Sequence, residues 1–253
     1  MKVSIITAVY NNKEFIEDCI KSVLEQSYDN IEYIIVDGGS TDGTLDIINK
    51  YKDKISKIIS EKDKGIYDAL NKGIQLATGD IIGILHSDDI YAYKDVIKDV
   101  VETFKKENVD SVYGDLCYVS RNDANKVIRY WKAGKFNRNS FKYGWAPPHP
   151  TFFIKKEVYL KYGIFDLSYE ISADYELMVR FLYKYQISSA YIPKVLVRMR
   201  IGGKSSKNLF TSIKRRIEDY KIIKQHQLGG FKVLIFKNLR KLPQFILRER
   251  NDI

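Results

Sequence analysis

The 253-residue chain carries two cysteines, Cys19 and Cys117, and three histidines. Two thiols without metal-type spacing exclude a disulfide framework and fit a reducing compartment. No uninterrupted apolar run approaches the roughly 20 residues needed to cross a bilayer. The opening Met1-Lys2-Val3-Ser4 turns polar too early for a secretory signal, so a cytoplasmic setting is predicted. Internal repeats and low-complexity linkers are lacking too. No Gly-x-Gly-x-x-Gly follows the first apolar segment, which argues against a dinucleotide oxidoreductase. That segment runs instead into Tyr10-Asn11-Asn12-Lys13. A nucleotidyltransferase gripping a triphosphate would need a Gly-rich, basic loop there.

What is present is a globular composition, 45% hydrophobic and 29% charged, enough for one large or two small domains. The net charge of +10 is unevenly placed. Residues 204–253 hold 13 Lys/Arg against 4 Asp/Glu, while residues 1–203 are nearly balanced, 29 against 28. Such a tail is suited to an anionic surface.

Residues 2–9, 31–36 and 55–60 are apolar, β-branched runs and predict strands. Between them, helical spacing runs through Phe15, Ile16, Cys19, Ile20, Val23 and Leu24, then through Leu45, Ile47, Ile48 and Tyr51. Asn11 or Asn12 is a candidate cap for the first helix. A helix over 66–77 precedes the run Ile81-Ile82-Gly83-Ile84-Leu85, which ends in His86-Ser87-Asp88-Asp89. This βαβαβαβ alternation predicts an α/β fold with a mostly parallel sheet. Beyond it, strands are predicted at 109–119, 126–131 and 190–200, with Pro193 at a sheet edge or strand opening. Helices are predicted at 156–162 and from Ser172 onward. The tail reads as two helices, 208–225 and 231–247. In the second, Phe231, Leu234, Ile235, Leu239 and Leu242 share one face, opposite Lys232, Lys237, Arg240 and Lys241. Two readings stand open: a helix lying on anionic lipid, or a helix packed on the body with a solvated basic face.

Asp88 and Asp89 cannot sit unpaired in the middle of a buried strand. They belong at its carboxyl end, where open α/β sheets bind ligands. Adjacent carboxylates suit a hard divalent cation shared with substrate phosphates, or they cap the next helix. Asp37, ahead of Gly38-Gly39, can accept from a nucleotide base or ribose, or can cap the next helix, which Ser40 or Asp42 would do equally well. Asp174, at a helix start, is a candidate general base or an N-cap.

Five segments together give a family likeness: residues 3–11, 36–44, 63–73, 87–89 and 173–177. Over residues 1–205 the chain resembles the family 2 glycosyltransferases, inverting enzymes of the GT-A fold that use nucleotide-sugars. The resemblance implies a nucleotide-sugar-binding half (1–115) and an acceptor and catalytic-base half (116–205); the basic amphipathic helical tail (206–253) lies outside it. It implies that Thr7, Val9 and Tyr10 line the nucleotide pocket and that Asp37 binds uracil or ribose. Asp63 and Gly65 would approach the nucleotide, with Asn71 nearby. Asp88 would contact ribose and metal, assisted by Asp89, and Asp174 would be the base. The family often has a carboxylate where His86 stands, and an acid where Ala173 stands; His86 is then a ligand or only a strand-end residue. Two further elements resemble a subset of the family. His149 would face the acceptor, the diphosphate or the metal, or be a structural histidine, and Arg198, Arg200 and Lys204 would form a flap over the diphosphate, or only a strand-end turn. Trp145 is a candidate for stacking on a sugar, or a core aromatic.

The expected reaction is inverting transfer from a nucleotide-diphosphate sugar, most simply UDP-linked, to a hydroxyl of a saccharide or lipid-linked saccharide. Mn²⁺ or Mg²⁺ would assist diphosphate departure. The expected place is the cytoplasmic face of the cell membrane, held peripherally through the tail. The alternatives are a sugar-nucleotide nucleotidyltransferase and a catalytically silent module binding nucleic acid or another anion. Nucleic acid is the weaker partner, because acidic strand ends repel phosphate unless a metal intervenes.

Overall fold

The computed structural model describes residues 1–202 and 209–245. The first half is the expected alternation: β1 (Val3–Val9), α1 (Ile16–Leu24), β2 (Ile31–Asp37), α2 (Thr44–Asn49), β3 (Lys57–Ser60), α3 (Ile66–Leu76) and β4 (Ile81–Ile84). β1 pairs in parallel with β2 and β4, and β2 with β3, so the carboxyl ends of β1, β2 and β4 share one rim. Then follow β5 (Ile90–Tyr91), α4 (Val96–Glu107), β6 (Ser111–Val119), β7 (Val127–Trp131), β8 (Phe153–Lys155), α5 (Lys156–Tyr162), α6 (Ala173–Met178) and β9 (Ser189–Arg200). The nine-stranded sheet runs β3-β2-β1-β4-β8-β6-β9-β5, with β7 on β6. β8 is antiparallel to both β4 and β6 and joins the two halves. Its Phe153 ring lies across Gly83, where an added Cβ would stand 2.4 Å from Cε1.

Pro193 lies at a local sheet edge, as predicted, because β5 pairs with β9 only at Val197 and Arg198. On the other side of β9 the β6 register jumps from Ile192 to Val195, a bulge at the proline. Proline cannot donate to the ladder, and a bulge is where that loss is tolerated.

The tail forms α7 (Leu209–Gln225) and α8 (Phe231–Leu239). α8 stops earlier than predicted because Pro243 disfavours helix at the residue before it. Ile222, Ile223, Leu228, Val233 and Leu234 join the same buried cluster as Ile154, Phe165 and Phe181. α8 also rests on Gly144, where φ is +72° and an added Cβ would lie 2.2 Å from the Lys237 backbone nitrogen. The inner faces of both helices therefore pack on the body, but not through the apolar face predicted for the second: of that face only Leu234 is buried, while Lys237, expected on the solvated side, turns inward to Asp219. Their outer faces expose Phe210, Ile213 and Ile217, and Phe231, Ile235 and Leu239, followed by Leu242. Among the described residues no helix is long and apolar enough to cross a membrane.

Candidate functional site

The rim at the ends of β1, β2 and β4 is stitched by short polar side chains. α1 has no side-chain cap; Asn11 and Asn12 tie loops instead. Asn11 Oδ1 accepts from Thr41 N–H at 2.8 Å, and Asn12 Nδ2 donates to Ser87 Oγ at 2.8 Å. Asp37 is wholly enclosed. It accepts from the backbone of Gly39 and Ser40, from Ser40 Oγ, and from Ser60 Oγ at 2.6 Å. Its first role in this arrangement is to fix the β2–α2 turn. At that turn Gly38 faces Asp63 and Tyr10: an added Cβ would stand 2.3 Å from Asp63 Oδ2 and 3.4 Å from the Tyr10 ring. Gly65 caps α3 beside open space at φ +121°, and Tyr10 is half exposed. Tyr10, Gly38, Asp63 and Gly65 thus form an open lip.

After β4 the two adjacent carboxylates part. Asp88 remains half-buried. Asp89 is fully enclosed, and its Oδ1 accepts from the Arg200 N–H at 3.3 Å. Burial, then the neighbouring Asp88, push the Asp89 carboxyl well above its usual range. Asp89 is thus turned inward, correcting the expectation of a second metal carboxylate. Arg200 is not a flap cation. Its side chain is 6% exposed and reaches the Asp88 carbonyl at 2.9 Å and Asp18 Oδ2 at 2.6 Å. It clamps the turn that presents Asp88. Arg198 turns to the Ala124 carbonyl at 3.2 Å, and Lys204 lies outside the described residues.

His86, next to Asp88, has its ring centroid 5.8 Å from that of His149. His149 lies in turn 5.7 Å from Phe165, edge-on. Burial lowers the His86 imidazole, opposed by Asp88 and Asp174. Burial takes His149 down to about 4, with Asp174 opposing and His86 reinforcing. Both rings are therefore held neutral near pH 7, and both feel Asp174. Asp174 opens α6. Its Oδ1 accepts from Tyr175 N–H at 2.8 Å and stands 3.2 Å from Tyr67 Oη, whose proton also faces the Ile171 carbonyl at 2.8 Å. The fold thus brings Asp88, His86, His149 and Asp174, remote in the chain, to one place.

Four expected site residues lie elsewhere. Thr7 is buried against Cys19 and, at 3.3 Å, the Tyr33 hydroxyl. Val9 packs in the core with Ile16. Their strand ends at the rim, but their side chains point into the packed layer. Asn71 makes a two-way amide pair with the Phe165 backbone, 2.9 Å each way. Trp145 is 6% exposed, packs among Tyr113, Phe136 and Phe141, and donates to the Ala133 carbonyl at 2.8 Å. It is the core aromatic.

Tyr67, Glu218 and Lys237 were not anticipated as site residues. Glu218 of α7 accepts from the N–H groups of Glu170, Ile171 and Ser172 at 2.9 to 3.1 Å and so shapes the approach to Asp174. Lys237 of α8 stands 3.3 Å over the Tyr175 ring. No local signal marks a residue that acts from a distant helix; Tyr67 lies within the 63–73 segment of the family likeness. Arg180 pairs with Glu176 at 3.1 Å, as a helix neighbour should.

Among the described residues no three His, Cys, Asp or Glu side chains form a group able to hold a metal ion. Asp88 is the accessible carboxylate, and His86 has a buried Nδ1 without a hydrogen-bond partner. This donor set fits a cation completed by diphosphate oxygens and water, not a closed protein cage.

Comparison with known proteins is consistent with this geometry. Residues 4–163 match the family model described as glycosyl transferase family 2. The chain belongs to that family. This family 2 chain is 29% identical over 252 residues to a PGL/p-HBAD biosynthesis glycosyltransferase of Mycobacterium bovis, spanning 97% of this chain and 92% of that protein. It is 32% identical over 235 residues to a glycosyltransferase of Rickettsia typhi, spanning 87% and 70%. In fold it is similar to S. aureus TarS solved with UDP, at TM-score 0.67 and 17% identity, covering 99% of this chain and 74% of that one. It is likewise similar to a mannosyltransferase from Pyrobaculum calidifontis solved with GDP-Man and Mn²⁺, at TM-score 0.68 and 20% identity, covering 97% and 73%. The fold is of the GT-A type and the chain is a glycosyltransferase.

Proposed function

We propose that this enzyme moves a sugar, with inversion, from a UDP-sugar to a hydroxyl of a saccharide or lipid-linked saccharide. The observation that carries the reading is the meeting of Asp88 and Asp174 around two neutral histidines at the carboxyl end of β4. Tyr10, Gly38, Asp63 and Gly65 would receive the nucleotide. The hydrogen bonds to Asp174 fall on Oδ1. Oδ2 is the oxygen left to take the acceptor proton as the acceptor oxygen attacks the anomeric carbon from the face opposite the diphosphate. Tyr67 and the Tyr175 N–H hold that carboxylate in place. Asp88, with His86 beside it, would hold Mn²⁺ or Mg²⁺. When bound, the cation supplies positive charge at the departing diphosphate. Solved neighbours that hold UDP, UDP-GlcNAc and GDP-Man support a nucleotide-sugar donor.

The test is a panel of nucleotide-sugars with Mn²⁺, read by thermal unfolding and by nucleotide release. A ligand that binds only the folded state raises its stability, by about 2.7 kcal/mol at one hundred times Kd. UDP-sugars are expected to give the shift and to release UDP. A shift with GDP-sugars alone would overturn the donor assignment. A silent anion-binding module would release no nucleotide with any of them.

The acceptor reading rests on the exposed apolar residues of α7 and α8, flanked by lysines on an interfacial helix pair. It places the enzyme peripherally on anionic membrane at its cytoplasmic face. Deleting the tail would remove part of the core, so point changes are the sound test. Phe210→Ser with Phe231→Ser is expected to abolish sedimentation with phosphatidylglycerol vesicles; unchanged sedimentation would refute it.

A further inference from the structure

The inner faces of the tail helices carry a second feature that the transfer chemistry above does not use. Asp219 of α7 and Lys237 of α8 pair at 2.8 Å and join the two helices. Arg215 lies one turn before Asp219, and Lys241 one turn after Lys237, so both come onto the joined patch. Beyond α8 the chain turns through Pro243–Phe245, and Arg129 of β7 sits 5.5 Å over the Phe245 ring and 4.0 Å over the Tyr118 ring. Arg129, Arg215, Lys237 and Lys241 are all half-buried. They are neither folded away nor out on a solvated face.

The patch adjoins Asp174. Lys237 Nζ stands on the ring of the next residue, Tyr175. Burial lowers the Lys237 ammonium, Asp219 and Asp174 oppose, and Arg215 adds to the lowering. Burial lowers Lys241 as well, reinforced by Lys237, Arg129 and Arg215 and opposed by Asp219. These four cations lie close enough to disfavour one another's charge, with Asp219 and Asp174 opposing. Self-repulsion of this kind destabilises a compact fold, and a purely structural patch has no use for it. A bound anion relieves it. The guanidinium forks of Arg129 and Arg215 match phosphate oxygens, and the lysines add point charges.

We propose that Arg129, Arg215, Lys237 and Lys241 form a phosphate-binding subsite that holds a phosphate group on the acceptor while the acceptor hydroxyl meets Asp174. The inference rests on Asp174 as the base and so deepens the transferase reading. It assigns the acceptor to a phosphate-bearing class. A diphosphate link, a phosphodiester or a phosphorylated sugar would each present that group.

The test uses the full chain at fixed ionic strength, with and without saturating UDP and Mn²⁺. Inorganic phosphate and glycerol 3-phosphate are titrated by calorimetry into wild type, Arg129→Gln, Lys241→Gln and Lys241→Arg. Binding to the UDP-loaded wild type, weakened about tenfold by either glutamine change and retained in Lys241→Arg, is the expected result. No binding to wild type, or equal binding to the glutamine variants, would overturn the subsite. Phosphate binding that UDP abolishes would assign the cluster to the donor diphosphate and overturn the acceptor assignment. So would loss of phosphatidylglycerol vesicle binding in the glutamine variants with soluble phosphate binding intact, since the cluster would then serve a lipid headgroup. Should UDP itself fail to bind wild type, the transferase reading has failed, and the nucleotide-free titration still decides whether the cluster binds phosphate.

Discussion

Replacing Arg200 by lysine separates two roles for the same cation. In the structure its guanidinium reaches the Asp88 carbonyl and Asp18 together, from a position 6% exposed. Lysine keeps the charge but has no planar fork, so it meets one partner at a time. Loss of one charge-assisted hydrogen bond costs about 1.5–3 kcal/mol. The Asp18 side costs less, because that carboxylate is 53% exposed and is rehydrated when released. For a chain of this size, about 2 kcal/mol corresponds to a fall in Tm of roughly 4–8 °C. The Ser87-Asp88-Asp89 turn also loosens, and a displacement of about 1 Å at a reacting position lowers turnover by about 100-fold. The assay is thermal unfolding of the nucleotide-free Arg200→Lys chain beside UDP release with the donor identified by the panel. A flap cation would behave differently: Tm without nucleotide would hold, and only nucleotide affinity would fall. An unchanged Tm with wild-type turnover would refute the clamp.

Asp174→Asn is expected to lower turnover by about 10²- to 10⁴-fold. Its melting temperature should stay near wild type, because the amide oxygen still accepts from Tyr175 N–H; a variant of normal turnover would exclude Asp174 as the base. His149 is held at about 4 instead of its ordinary 6.5. Its contribution is complete above pH 6.5 and is lost as pH falls toward 4, because the unfolded chain takes the proton first. That loss is about 3 kcal/mol. Urea unfolding at pH 7 and pH 4.5 should show a smaller acid loss in His149→Gln than in wild type, and equal losses would contradict it. Gly83→Ala puts a methyl into the Phe153 ring. It should destabilise the chain by about 1–3 kcal/mol in urea unfolding; a stability equal to wild type would disprove that contact.

The strands and helices of the first half were legible because their causes are local. Apolar alternation gives the parallel strands, and glycines with Ser, Thr and Asp give the turns between them. The placement of Asp88 and Asp89 at the end of β4 was legible from the cost of burying charge. Which of the two faces outward was not. That depends on Arg200, more than a hundred residues later, taking the Asp88 carbonyl and roofing Asp89. Thr7, Val9 and Asn71 went astray, and the choice between the two readings of Trp145 was not legible, for a related reason. A residue at a strand end or in a family motif is placed by the chain, but the direction of its side chain is set by what packs against it. Asn71 meets Phe165, and Trp145 meets Tyr113 and Phe141.

The sequence by itself determined the alternation of elements, the rim to which the carboxylates belong, and the family. Those follow from residue type and spacing, which act over a few positions. Only the tertiary structure decided that Asp88 stands out while Asp89 is enclosed, that two neutral histidines lie by Asp174, and that the tail's inner face lends cations to the site. Each of these is a contact between distant segments, and long-range packing chooses which side chains meet.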